Sequence, residues 1–169
     1  MAHKDIDPKN PPRRRIGVLT LVQDERDRVL LVKPTYDNKK WQLPGGAAHE
    51  GEPIEAAGER ELREETGLDL RLTHFLALDH VPANAETGAK EGFNVVLDGG
   101  VLGDEEAEAV AVPSAAAGEL SGCAWVHPED LEKFAAPYQV RRIRQALESV
   151  KNEVSLPLLV RGERRAART

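Results

Sequence analysis

The sequence predicts an α/β fold, with helices covering a mixed β-sheet. Three observations support this. Short runs of branched apolar residues recur along the chain, each bounded by turn residues. Segments with helical caps or helical spacing lie among them. At 169 residues the chain can bury one substantial core but is too short for two ordinary domains.

Residues 1–14 hold Pro8, Pro11 and Pro12 and show no hydrophobic period, so a flexible lead-in is expected there. The domain is expected over 15–150, with 151–169 as an extension ending in a basic, disordered tail. Ile16–Val22 reads as a strand, Asp24–Asp27 as a turn and Val29–Lys33 as the return strand of a hairpin. Tyr36–Lys40 is polar. Trp41-Gln42-Leu43 then runs into the break Pro44-Gly45-Gly46. A helix is expected over Pro53–Thr66, with Pro53 at its first position and Gly67 as its left-handed cap. Apolar residues alternate through Leu70–Val81, predicting one long strand. Phe93–Leu97 and Leu120–Val126 read as further strands. Gly99–Gly118 reads as a loop with one short helical turn, and Pro128–Phe134 as a short helix. Val140, Ile143, Leu147 and Val150 form one apolar stripe at helical spacing.

Composition narrows the function classes. Apolar residues make up 40% and charged residues 31%, which is a globular balance. No run reaches the roughly 18 apolar residues of a spanning helix, so no membrane partner is expected. The N-terminus has no apolar stretch of the secretory kind, and the expected compartment is the cytoplasm. The single cysteine, Cys123, excludes an internal disulfide and a multi-cysteine zinc site. The net charge is −6, with about +3 in residues 1–15 and +3 in 161–169, which leaves −12 on the body between them. Phosphate-backbone binding needs clustered Lys and Arg, so specific nucleic-acid binding is not expected.

The chemistry lies in Gly46–Leu68, which contains seven glutamates and two arginines. Glu61, Glu64 and Glu65 stand at i, i+3 and i+4 and share one helix face. Glu61 and Glu65 also align with Ile54, Ala57 and Gly58, the small and apolar residues expected to face the sheet. Like charges at i, i+4 cost about 0.2–0.5 kcal/mol even on a wet surface, and partial burial raises that cost. The cluster therefore calls for a positive partner. Arg60 and Arg63 flank it, but a hard divalent cation suits it better. Mg²⁺ is commonly held by one or two carboxylates together with substrate phosphates. Gly45 and Gly46 carry no side chains, so their backbone can approach such a group closely.

This segment resembles the Nudix box, the pattern G-x5-E-x7-R-E-U-x-E-E-x-G-U with U bulky and aliphatic. Gly46, Glu52, Arg60, Glu61, Leu62, Glu64, Glu65, Gly67 and Leu68 fill all nine specified positions. The resemblance to the Nudix hydrolase family implies an α/β/α sandwich and Mg²⁺- or Mn²⁺-dependent hydrolysis of a diphosphate linkage. The substrate it implies is a nucleoside diphosphate derivative. By the same resemblance Glu61 and Glu65 are the main metal ligands, Glu64 is a further ligand or holds a water, and the Gly45 carbonyl is a backbone ligand. Arg60 would orient the glutamates through a pair with Glu52. The general base is a box glutamate, Glu64 or Glu65, or a loop glutamate. For the loop, Asp104, Glu105, Glu106 and Glu108 are the candidates, ahead of Glu86 and Glu91. Gly46 and Trp41 are candidate substrate contacts, although core packing is the plainer role for Trp41 and Trp125.

The histidines His49, His74, His80 and His127 lack zinc-site spacing and are read as structural. There is no phosphate-binding G-x-x-x-x-G-K-[ST] loop and no G-x-S-x-G nucleophile turn. Arg141, Arg142 and Arg144 read as the outer face of the last helix. ADP-ribose-like compounds and nucleotide sugars are the first expectation for substrate, with Pro82 close to, but not at, the downstream proline found in many ADP-ribose hydrolases of the family. The alternatives are nucleoside triphosphates, non-nucleotide diphosphates, or a module that binds a nucleotide without turning it over. A homodimer is compatible with the resemblance.

Overall fold

Strand β1 (Arg15–Asp24) organises the sheet because three other strands hydrogen-bond to it. The computed structural model describes residues 9–11, 13–35 and 40–164. The expectations for residues 1–8 and 165–169 therefore lie outside the described residues, as does most of the polar stretch 36–40.

Along one edge, β1 pairs in parallel with β5 (Gly92–Leu102), which pairs antiparallel with β4 (His74–Val81). Along its other edge, β1 meets β2 (Val29–Pro34) and the short β3 (Gly45–Ala47). Strand β6 (Leu120–Val126), at the positions the sequence predicts, completes that side by pairing with β2. Parallel and antiparallel neighbours make the sheet mixed, as predicted. The expected hairpin exists, but it splays at once. Only Gln23 and Val29 are paired partners between β1 and β2, and β2 then continues against β6.

The two faces of β1 follow its alternation. Val18 and Val22 pack toward helix α1 (Ile54–Thr66), with Ala57, Leu62, Leu72 and Leu97. Leu21 packs on the opposite side with Val140, Ile143 and Ala146 of helix α4 (Pro137–Lys151). A helix on each face of one sheet is the α/β/α arrangement that the sequence predicts. Leu62, Leu72 and Leu97 are 0% exposed. Truncating any one of them to alanine removes about 2–5 kcal/mol. That outweighs the few tenths of a kcal/mol of carboxylate repulsion along α1, so packing decides where the helix lies.

Several boundaries differ from the expectations, each for a local reason. Pro53 is the extended residue before α1 rather than its first helical residue, and its carbonyl accepts the Ala57 N–H at 2.9 Å. Gly67 is the left-handed cap (φ 76°), donating to the Arg63 carbonyl at 3.0 Å. The long strand expected from Leu70 starts only at His74, because the Leu72 N–H is taken by Glu59 Oε1 at 3.0 Å, which hooks the segment onto α1. Strand β5 runs five residues past Leu97, and the expected helical turn follows it as α2 (Asp104–Glu108), with a 3-10 turn at Ser114–Ala116. The short helix after β6 is a 3-10 turn, Pro128–Asp130, leading into α3 (Leu131–Phe134). Beyond α4, β7 (Leu156–Pro157) adds to β4, Leu158 is buried, and Leu159–Val160 (β8) pairs with Glu163–Arg164 (β9). Among the described residues no helix is long and apolar enough to cross a membrane.

Asp24 closes the β1–β2 turn. Its carboxylate accepts the Arg28 Nε at 2.7 Å and the N–H groups of Arg28 and Arg26 at 2.9 and 3.1 Å. Burial pushes its pKa up, but these donors outweigh burial and leave it below the usual 3.8. A depressed carboxylate stabilises the fold above its unfolded pKa, and that stability is lost as pH falls through the folded value. Asp24→Ala is expected to cost about 3 kcal/mol at pH 7. In denaturant titrations the gap to wild type should narrow below pH 4.

Candidate active site

The site forms where β3 runs beside the inner edge of α1. Two successive glycines let that approach happen. A Cβ on Gly45 (φ 146°) would collide with the Val18 carbonyl, and a Cβ on Gly46 would collide with the Glu61 carboxylate. The Gly45 N–H donates to Glu65 Oε2 at 2.7 Å. The sequence reading gives Gly45 a metal-ligand role through its carbonyl; the contact made at this residue is that of its N–H with Glu65.

Arg60 gathers the remaining carboxylates. Its Nε and Nη2 donate to the two oxygens of Glu52 at 2.8 and 2.9 Å, a bidentate pair. Its Nη1 donates to Glu61 Oε1 at 2.8 Å and to Glu64 Oε2 at 3.2 Å, and Nη2 also reaches the Ala47 carbonyl at 3.3 Å. One guanidinium thus ties the start of α1, its middle and β3 together. The hydrogen bonds from Arg60 and from the His49 N–H hold the Glu52 carboxyl down to about 2. The carboxylates in turn push the Arg60 pKa further up.

Glu65 behaves in the opposite way. Burial, and next the neighbouring charges of Glu61, Glu119 and Glu64, push it up to about 8, with the Gly45 N–H only partly opposing them. Cys123 lies beneath it, its thiol 3.8 Å from the Glu65 carbonyl and pushed up to about 11 by burial and by the Glu65 charge. The three box glutamates differ in access. Glu61 is largely covered by Arg60, Glu65 is partly buried and Glu64 is exposed.

Among the described residues, no three His, Cys, Asp or Glu side chains converge as a ready-made metal cage. Arg60 and the Gly45 N–H hold the carboxylates instead. The donor set nevertheless suits a hard cation: the Glu61 carboxylate lies over Gly46, the Glu65 carboxylate meets the Gly45 N–H, and among the described residues no positively charged side chain pairs with Glu65. Such a partial set matches Mg²⁺, which completes its shell with water and phosphate oxygens.

The loop candidates fall elsewhere. Glu105, Glu106 and Glu108 are exposed on α2, which is anchored by buried Ala107 and by the Trp125 Nε1 donating to the Ala107 carbonyl at 3.0 Å. Asp104 faces Arg26, and Glu91 is engaged by Arg14 and His80. The loop acid whose charge reaches Glu65 is Glu119, which the sequence analysis missed. Its only sequence signal was its place directly after Gly118, at the entry to β6. Trp41 packs edge-on against Phe134 with ring centroids 5.9 Å apart, which is the packing role expected as the plainer one.

Beyond Gly45–Gly46 a cleft of about 440 Å³ opens between the sheet and the start of α4. Arg15, Asn94 and Val81 line it on the sheet side, and Tyr138, Gln139 and Arg142 on the helix side. Arg142 is not on an outer face, as its place in the basic run suggested. It is 10% exposed and its Nε donates to Asp79 at 2.6 Å.

Lysine cannot reproduce the fork that Arg60 makes. Arg60→Lys is expected to cost about 2 kcal/mol in denaturant titrations at pH 7. The Glu52 carboxyl is depressed, so the stability lost in Glu52→Gln should be full at neutral pH and shrink between pH 4.5 and about 2.

Comparison with known proteins gives the family. The NUDIX domain family matches residues 12–147. A protein of Bacillus subtilis (strain 168), named "Putative 8-oxo-dGTP diphosphatase", is 30% identical over 127 residues, 75% of this chain and 76% of that protein. Among solved structures, the MutT protein of Methanosarcina mazei Go1 superposes with a TM-score of 0.64 at 24% identity, covering 80% of this chain and 95% of the other. The NUDIX domain of Shewanella oneidensis NrtR, crystallised with ADP ribose, gives 0.66 at 22% identity, covering 86% and 94%. With the complete box seated between β3 and α1, and the family match spanning most of its length, this chain belongs to the Nudix hydrolase family.

Proposed function

We propose that this Nudix hydrolase cleaves the diphosphate linkage of a nucleoside polyphosphate, with Mg²⁺ or Mn²⁺ held by Glu61 and Glu65. The observation that carries this reading is the seating of the two carboxylates on the glycine turn: Glu65 accepts the Gly45 N–H at 2.7 Å, and the Glu61 carboxylate lies against Gly46. Glu61 and Glu65 would hold a divalent cation there, which when bound would neutralise phosphate oxygens and make an attacking water more acidic. The protein's own groups do the rest. Arg60 holds Glu61 and Glu64 side by side, and the Gly45 N–H aims Glu65 at the glycine turn. Glu64, the box carboxylate most open to solvent, is the group that takes the proton from water, with Glu119 as its rival. Glu52 acts through Arg60, as a positioning residue.

The nucleoside is assigned to the cleft beneath α4, next to Gly45–Gly46. Nucleoside triphosphates come first as substrates, supported by the name of the Bacillus subtilis relative. ADP-ribose-like compounds come second. A groove of about 410 Å³ beyond Ala48, lined by Arg13, Arg14 and Arg15, supports that class because it could receive a distal sugar phosphate.

The test is phosphate release with Mg²⁺ or Mn²⁺ over nucleoside triphosphates, nucleotide sugars, ADP-ribose and dinucleoside polyphosphates. Glu61→Gln and Glu65→Gln are expected to lower turnover at least about 100-fold and to weaken Mn²⁺ binding measured by calorimetry. Full activity in both variants would sink the assignment. Tight nucleotide binding with no turnover of any compound would make the chain a sensor.

A further inference from the structure

The cleft beneath α4 contains two side-chain amides whose polarity is set by groups that can only donate. We infer that the cleft selects a nucleobase presenting an exocyclic oxygen, an oxopurine of the guanine or hypoxanthine kind, over adenine, because Asn94 and Gln42 both offer N–H donors there. This rests on the cleft being the nucleoside seat of the proposed function.

The first amide is Asn94 on β5, 8% exposed. Arg15 Nη2 contacts its Oδ1 at 3.1 Å. A guanidinium has no acceptor, so Oδ1 is the accepting atom and Nδ2 is left as a donor. The pairing of β1 with β5 sets Gly17 against Asn94, and a Cβ on Gly17 would collide with Asn94 Oδ1. The amide is thus built into the sheet.

The second amide is reached through a relay. The Ala136 N–H, at the start of α4, donates to Gln139 Oε1 at 3.2 Å. Gln139 Nε2 is therefore a donor, and it points to Gln42 Oε1 at 3.5 Å. Gln42 Nε2 is left as a donor in turn. No other hydrogen-bond partner of Asn94 Nδ2 or Gln42 Nε2 occurs among the described residues. Both residues line the cleft. The Tyr138 hydroxyl can donate or accept, and Arg142, whose Nε is bonded to Asp79, has only donors to offer.

An adenine amino group set against these amides would put donor against donor and leave buried N–H groups unpaired. A carbonyl oxygen satisfies them. A site built in this way rejects the wrong partner more strongly than a change in apolar size would allow.

Inosine and adenosine nucleotides test this, because they differ at the 6-position and N1 only. Calorimetry of the metal-free protein with IMP and AMP reads the seat without catalysis. IMP is expected to bind at least about tenfold tighter. The ratios of kcat/KM for ITP against ATP, and for IDP-ribose against ADP-ribose, should favour inosine by the same factor. Gln42→Glu replaces the donor with an acceptor while leaving the backbone bonds of residue 42 to Val32 in place. It is expected to bring the inosine-to-adenosine ratio to unity or below. Asn94→Asp should do the same, and thermal melting of both variants checks that they fold. Equal or tighter binding of AMP by wild type overturns the inference. So does a ratio unmoved in both folded variants. Base preference in binding with no turnover of any nucleotide would sink the hydrolase reading alone. Turnover without base preference would sink this inference alone. Failure to bind or turn over either base would sink both.

Discussion

A surplus of negative charge on the inner edge of one helix is the constraint around which this protein is built. Glu52, Glu61 and Glu64 gather around Arg60, Glu65 meets the Gly45 N–H of β3, and the fold must keep them there. Hydrophobic packing supplies the force: Leu62 and Ala57 clamp α1 onto the sheet with a free energy well above the repulsion among its carboxylates. Arg60 supplies the order. It pairs two-pronged with Glu52 and touches Glu61 and Glu64, so three of the four carboxylates share one rigid cation. Glu65 is the exception, held by a lone backbone N–H among the described residues and raised by burial and then by its acidic neighbours. The local imbalance therefore sits where a hard cation and a phosphate would meet.

The sheet has a second task. The parallel pairing of β1 with β5 puts Arg15 next to Gly92, and Gly17 next to Asn94, on the face opposite α1. With Gly45–Gly46 paired to the middle of β1, the charged side and the amide-lined side are separated only by a strand three residues long. The glycines make that thinness possible, since side chains there would strike Val18 on one side and Glu61 on the other. The carboxylate side and the amide-lined side thus share one short piece of backbone.

Much of this was legible in the residues. The box gave the helix, its left-handed cap and the carboxylate face, because helical spacing and capping are local properties. Strand positions such as Leu120–Val126 followed from local composition for the same reason. What failed was non-local. Leu70–Leu72 alternates like a strand, yet it hooks onto α1 through Glu59. Arg142 sits in a basic run that reads as solvated, yet Asp79, sixty-three positions earlier, draws it inward. The effect of the Glu119 charge on Glu65 was likewise out of reach, because the two are brought together only by the fold.

The sequence by itself determined the family, the mixed sheet between helices and the set of glutamates, because spacing along a helix places side chains without reference to the rest of the chain. Only the tertiary structure decided which carboxylates Arg60 holds, which one is left titrating high, and which amides line the cleft and in which polarity. Those outcomes depend on atoms brought together from distant segments, where burial and a few hydrogen-bond directions set the chemistry.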